Sequence, residues 1–119
     1  MTTERKAVGA YGERLAARHL EDLGLVVLHR NWRCSDGEVD LILRDGDDLV
    51  FCEVKTRRGA AFGTPAAAVD HRKIRKLRLL AVRWLADSGV RAKHIRFDVV
   101  EVFPQRRGAT RLVHIRAAF

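Results

Sequence analysis

The sequence predicts a single α/β domain, and three observations carry that expectation. Apolar residues recur at helical spacing over 7–23 and again over 71–88. Two runs rich in Val, Ile, Leu and Phe flank Asp45-Gly46-Asp47-Asp48, which is the residue chemistry of a hairpin turn. A further stretch, 94–103, alternates Ile95, Phe97 and Val99 against Arg96, Asp98 and Val100 and then loses the alternation, as a strand does when it is buried on both sides at its far end. The chain of 119 residues suits one domain, 1–119, with room for a single core.

The elements follow in order. Met1 to Lys6 is polar and expected to be disordered. From Ala7 to Leu23, Val8, Tyr11, Leu15, Ala16, Leu20 and Leu23 make a helical stripe, and Gly24 stands where a C-terminal cap belongs. Placing residues at 100° steps puts Glu13 at the margin of that stripe, between Leu20 and Ala17. Its carboxylate there leans towards whatever the helix packs on, or reaches solvent. Leu25 to Leu28 opens a first strand that runs into the basic, partly aromatic His29-Arg30-Asn31-Trp32-Arg33. Cys34-Ser35-Asp36-Gly37 then turns the chain into the hairpin.

Within the hairpin, a loop of Asp45 to Asp48 sets Arg44 opposite Leu49, Leu43 opposite Val50, Asp40 opposite Glu53 and Glu38 opposite Lys55. Side chains alternate across a strand, so Val39, Leu41, Leu43, Val50, Cys52 and Val54 share an apolar face. The other face carries Ile42 and Phe51 near the turn and Asp40, Glu53, Glu38 and Lys55 at the open end. Opposed residues have Cβ atoms about 5 Å apart, and two carboxylates at that distance repel by roughly 3 kcal/mol at an effective dielectric of about 20. Protonation, a basic partner or a bound cation relieves such repulsion. Hard divalent cations prefer carboxylate oxygens, and Mg²⁺ takes one or two of them plus waters and phosphate. An offset of a residue or two between the strands would instead leave these charges unopposed, pointing into water.

Beyond Lys55 the chain changes character. Thr56-Arg57-Arg58-Gly59-Ala60-Ala61-Phe62-Gly63 reads as a loop, basic where it leaves the strand, either a phosphate-binding loop or an ordinary solvated connection. Thr64-Pro65 reads as an N-cap followed by proline at the first helical position of a short helix through Val69, and Asp70 can cap a second segment. From His71 to Ser88, Ile74, Leu77, Ala81, Trp84 and Leu85 repeat at helical spacing, and Gly89 ends the helix. Arg72, Lys73, Arg75, Lys76 and Arg78 crowd its first two turns, against the preference of the helix dipole. A partner for that cluster, or a solvated helix face, accounts for it. His94 to Phe103 and Leu112 to Ile115 are the last strands, separated by a basic turn over 104–110.

Twenty-three Lys and Arg against fifteen Asp and Glu leave a net charge of +8. An excess of that size points to a polyanion, nucleic acid above all, with general solubility charge as the alternative. There is no apolar run long enough to span a membrane and no apolar segment after a basic start, so a cytoplasmic location without a membrane partner is the expectation. Cys34 and Cys52 lack the spacing of zinc or redox pairs and read as reduced thiols, Cys52 in the core.

Asp40, a turn, then Glu53-Val54-Lys55, with Glu13 on a preceding helix, resembles the PD-(D/E)xK nuclease superfamily. More closely, Gly12-Glu13, Arg30-Asn31-Trp32-Arg33, Gly37-Glu38-Val39-Asp40-Leu41-Ile42, Phe51-Cys52-Glu53-Val54-Lys55-Thr56-Arg57, Phe62-Gly63 and Arg96-Phe97-Asp98-Val99-Val100 are similar to the YraN-like bacterial family. The resemblance implies a restriction-endonuclease-like core, a mixed central sheet of about five strands flanked by helices. It implies a metal-dependent nuclease, similar to Holliday-junction resolvases, with Mg²⁺ or Mn²⁺ held by Asp40, Glu53 and the Val54 carbonyl. Glu13 matches the helix-one carboxylate that completes such sites. Lys55 would orient or activate the attacking water and stabilise charge on the phosphate. Val39 stands where the superfamily motif has proline. Arg30, Arg33, Arg57, Arg58, Arg72, Lys73 and Lys76 are the candidate contacts to nucleic acid, DNA in preference to RNA, and two nearby cuts would require a symmetric homodimer. The alternative is a nucleic-acid-binding protein that keeps this fold without cutting.

Overall fold

A computed structural model describes residues 3–57 and 71–119, with side chains from Lys6 onward. Helix α1 (Thr3–Asp22) leads into strands β1 (Val26–Cys34), β2 (Gly37–Asp45) and β3 (Asp48–Thr56); helix α2 (His71–Ser88) precedes strands β4 (His94–Phe103) and β5 (Arg111–Ile115). The sheet order is β1-β2-β3-β4-β5. All neighbours are antiparallel except β3 and β4, which run parallel because α2 lies in the connection between them. The result is an α/β domain with a mixed five-stranded sheet between two helices, compatible with a restriction-endonuclease-like core. No helix among the described residues is long and apolar enough to cross a membrane. The segment read as a short helix over 64–69, the Asp70 cap and Arg58 lie outside the described residues.

Helix α1 begins at Thr3, ahead of the expected Ala7. It ends where Gly24 was expected to cap it: with φ at +98°, Gly24 donates to the Glu21 carbonyl at 2.9 Å and Leu25 to the Leu20 carbonyl at 3.0 Å, the two bonds of a Schellman ending. The stripe it buries is narrower than the spacing suggests. Ala16, Ala17 and Leu20 are fully buried, whereas Tyr11 and Leu23 are exposed. Small residues at 16 and 17 let the helix lie close on the sheet, and Gly12 closes the approach further: a Cβ there would sit 1.8 Å from Thr56 Oγ1.

The sheet separates two apolar clusters. One joins α1 to Leu41, Leu43, Val50, Cys52, Val100 and Val102; the other joins Leu77, Leu80, Ala81 and Trp84 of α2 to Ile42, Leu49, Phe51 and Phe97. The β2–β3 register is the expected one near the turn, with Arg44 opposite Leu49, Leu43 opposite Val50 and Leu41 opposite Cys52, and Gly46 takes φ +59° in the turn; the expected Asp40–Glu53 and Glu38–Lys55 pairs do not form, because the ladder ends at Leu41 and Cys52. Val39 is the correction. It packs with the α2 cluster, as do Trp32 and Cys34, and not with Leu41 and Leu43. The β2–β3 pairing stops at Leu41 and Cys52 while β1–β2 pairing runs on to Cys34 and Gly37. Freed from β3, that two-stranded ribbon twists more strongly than a wide sheet does. Asn31, at φ +50° in β1, lies where the twist begins. Arg83 of α2 holds the ribbon tip, donating to Ser35 Oγ at 2.8 Å and Asp36 Oδ2 at 2.9 Å.

Candidate active site

The divergence of β2 from β3 opens a cleft of about 390 Å³ between the ribbon, the end of β3 and the first turns of α2. Asp40, Glu53, Glu38, Lys73 and Lys76 line it, over a floor that includes Val39, Leu77 and Leu80. Asp40 sits one residue past the last paired position of β2, and its Oδ2 accepts the Val54 backbone N–H at 2.8 Å. A side chain thus replaces the ladder partner that β3 loses when the strands part. Burial pushes the Asp40 carboxyl up from 3.8 to about 6; the Val54 N–H opposes that shift, and the carboxylates of Glu13, Glu53 and Glu38 add to it.

Glu53 and Lys55 lie two residues apart on β3, and alternation puts both on the cleft side. Two ammonium groups meet one oxygen of Glu53: Lys55 Nζ stands 3.5 Å from Oε1, and Lys73, from the first turn of α2, contacts the same atom. The other oxygen, Oε2, is buried and has no hydrogen-bond partner among the described residues. The adjacent Lys73, and then burial, hold the Lys55 ammonium below its usual value, with Glu53 pulling the other way. Burial works against charge on Lys73, but its contacts with Glu53 and Lys55 outweigh it and raise that group.

Glu13 lines a smaller recess of about 190 Å³ with Ala10, Arg14, Arg30, Asn31 and Leu41. Burial raises its carboxyl, an Asn31 side-chain hydrogen bond lowers it, and Glu38 and Arg33 act in opposite senses. It is near enough to Asp40 to raise that group too. Among the described residues no three His, Cys, Asp or Glu side chains group around one point as a metal set. Asp40 and Glu53 nevertheless suit a hard divalent cation. They offer oxygen donors only, one of them a buried acceptor with no donor among the described residues, and Mg²⁺ needs no more than one or two carboxylates beside water and phosphate.

The basic residues spread around this cleft unevenly. Arg72 and Lys76 are exposed on α2. Lys76 reaches over Gly37, where a Cβ would come within 2.8 Å of its Cε. Arg30 and Arg33 are exposed on β1 beside acids, Arg30 at 3.5 Å from Glu21 and Arg33 at 3.1 Å from Glu38. Arg57 donates through Nε and Nη2 to Glu101 Oε1 at 3.3 and 3.1 Å, and its backbone N–H bonds the Val102 carbonyl at 2.8 Å. Glu101 pairs with Lys55 across the parallel ladder and is itself buried. Sequence reasoning did not single it out. The available signal was an acid inside a strand stretch, Phe97 to Phe103, that is buried throughout.

The raised Asp40 carboxyl has a consequence for stability. Its native value lies above its ordinary one, so the folded state favours the protonated acid; the group costs nothing below pH 3.8 and its full penalty is present above about pH 6. Asp40→Asn keeps an acceptor for Val54 N–H and removes the charge. In EDTA at pH 8 the variant is expected to be about 1–3 kcal/mol more stable than the wild type, with the difference vanishing at pH 4. Denaturant unfolding at both pH values checks this, and a variant less stable than wild type at pH 8 would contradict the buried-charge account.

Comparison with known proteins fits the reach of this architecture. The chain is 54% identical over 112 residues to a UPF0102 protein of Nocardioides sp., covering 94% of this chain and 90% of that one. It is 55% identical over 112 residues to a UPF0102 protein of Beutenbergia cavernae, covering 94% and 95%, and 52% identical over 115 residues to the UPF0102 protein FRAAL5785 of Frankia alni, covering 97% and 96%. Residues 12–102, from the glycine where α1 meets Thr56 to the valine that receives the Arg57 N–H, match the description of the uncharacterised protein family UPF0102. The chain belongs to that family.

Proposed function

We propose that the protein is a metal-dependent nuclease of PD-(D/E)xK type that hydrolyses phosphodiester bonds, in DNA rather than RNA and at branched structures. The observation that carries this reading is the meeting of Asp40 and Glu53 in one cleft beside the basic first turns of α2, with Lys55 Nζ 3.5 Å from Glu53 Oε1. Asp40 and Glu53 would hold Mg²⁺ or Mn²⁺, with the carbonyl of Val54, the residue after Glu53, as a further ligand. When bound, the ion supplies Lewis-acid polarisation of the phosphoryl oxygen and makes a water more acidic. Lys55 presents its ammonium beside the phosphate, where negative charge builds up. Lys76 lines the cleft and Arg72 is exposed on the first turn of the same helix, and the net charge of +8 favours approach to a polyanion.

Cutting both strands at a junction would need a second copy related by two-fold symmetry. The direct test incubates the protein with branched, duplex and single-stranded substrates, each with Mg²⁺, Mn²⁺ or EDTA. Metal-dependent cleavage of at least one branched DNA is expected. If every substrate survives with both metals while still being bound, the protein is a binding module with a nuclease-like fold.

A further inference from the structure

Glu53 has more positive charge on it than a metal-binding carboxylate can keep. Lys55 reaches Oε1 from the same strand and Lys73 reaches it from α2, so two ammonium groups already share one oxygen. A divalent cation at Glu53 would stand within a few ångströms of both. Like charges so close repel strongly in a partly buried cleft, and one ammonium must withdraw or an anion must enter.

The two lysines are not equivalent in that respect. Lys55 is two residues from Glu53 on a strand held there by its ladder to β4, and its stem shares the face of the acid. Lys73 crosses the cleft from the first turn of a helix that has no acidic residue in that turn. A cation placed there gains nothing from the helix dipole, so its position rests on side-chain partners. Lys76, one turn further along, lines the same cleft. A lysine stem pivoting from residue 73 towards Lys76 carries its ammonium from Glu53 to the mouth, where a phosphate would enter. The buried Oε2, with no donor among the described residues, is the oxygen left for an arriving cation.

We propose that Lys73 holds the place of the divalent cation on Glu53 and transfers to the substrate phosphate when metal and nucleic acid bind, so that the two bind cooperatively. This rests on the nuclease reading and adds to it a coupling between its ligands. Without nucleic acid, Lys73 competes with the metal; with a phosphate present, it has a second anion to serve. Reciprocity requires that metal strengthen the binding of nucleic acid by the same factor.

Calorimetric titration of Mn²⁺ into wild type, Lys73→Gln and Lys73→Arg, each with and without a phosphorothioate single-stranded oligonucleotide, tests the proposal without any cleavage. Mn²⁺ alone is expected to bind Lys73→Gln about 10-fold more tightly than wild type, within the usual span of coupling between sites. The oligonucleotide is expected to tighten Mn²⁺ binding by about 5-fold or more on wild type and by less than about 2-fold on Lys73→Gln. Lys73→Arg keeps the charge and is expected to follow wild type. Equal or weaker Mn²⁺ binding by Lys73→Gln, or coupling unchanged by the substitution, overturns the proposal and leaves the nuclease reading standing. Failure of Mn²⁺ to bind any of the three proteins, with or without the oligonucleotide, overturns both.

Discussion

Replacing Lys55 by alanine is expected to slow single-turnover cleavage by about 10²–10³ while leaving the protein folded and able to bind DNA. The size follows from where the charge acts. An ammonium beside the phosphate interacts more strongly with the transition state, in which negative charge accumulates, than with the bound substrate. The selectivity follows from the geometry. Glu53 keeps Lys73 as a partner when Lys55 is removed, so no carboxylate is stranded without a cation. Lys55 is itself part-exposed, and exposed ion pairs contribute only about 0–1 kcal/mol. Asp40 and the Val54 backbone, which shape the acid pair, are untouched. Cleavage and binding measured under the same metal and salt conditions separate the two effects. A variant that cuts as fast as wild type would remove Lys55 from the reaction.

The largest effect on stability is expected at Asp98, on the other side of the sheet from the cleft. Its carboxylate is buried at the centre of a hub: Arg96 donates through Nε and Nη2 at 2.9 and 3.1 Å, His114 Nε2 lies at 2.8 Å, and the Ala117 backbone N–H donates at 3.0 Å. Burial works to raise its pKa, but His114, Arg96 and Ala117 together outweigh that and hold it below the ordinary 3.8. Asp98→Asn leaves the Arg96 guanidinium half-matched and turns an amide donor towards other donors. Breaking a buried pair by neutralising one member typically costs about 3–5 kcal/mol. The lower end is expected here, because Arg96 retains Asp45 at 2.9 Å. The pH dependence has a definite sign. A carboxyl with a depressed native pKa contributes stability that is present above pH 3.8 and is lost as the pH falls through the lower native value. The gap between wild type and Asp98→Asn should therefore be full at pH 6 and narrow below pH 3.8. Urea unfolding across that range measures it, and a gap under about 0.5 kcal/mol at neutral pH, the size of an ordinary surface substitution, would deny Asp98 its role.

Asp40 and Asp98 thus titrate in opposite directions for one reason. Both are desolvated, but Asp98 is surrounded by donors and cations, whereas Asp40 has one backbone donor and three acidic neighbours. Acids whose charge is poorly compensated cluster at functional sites more than in structural cores. That contrast supports the proposed site in the cleft.

The sequence by itself determined what short-range patterns can determine. Turn residues at 45–48 set the β2–β3 register, and that register brings Asp40 towards Glu53 and puts Glu53 and Lys55 on one face, although the ladder itself ends at Leu41 and Cys52. The 3.6-residue period located α2 from His71 to Ser88, and an alternation that is lost after Val99 identified β4 as a strand covered on both sides at its far end. Local chemistry could do this because neighbours along a strand or helix are held at fixed offsets by the backbone.

Other features were decided only by packing between elements far apart in the chain. Val39 changed clusters because the β1–β2 ribbon, no longer paired to β3, twisted onto α2. Gly12 proved to be the point where α1 rests on Thr56. Lys73, read from its neighbours as one of a row of phosphate contacts, is held on Glu53, twenty residues away, and Arg57 is held by Glu101, forty-four residues away. Alternation along β3 shows which way Glu53 faces, but not which cation the far side of the cleft brings to it. That depends on the angle at which α2 crosses the sheet, which the mutual fit of two apolar faces decides and no single stretch of sequence contains.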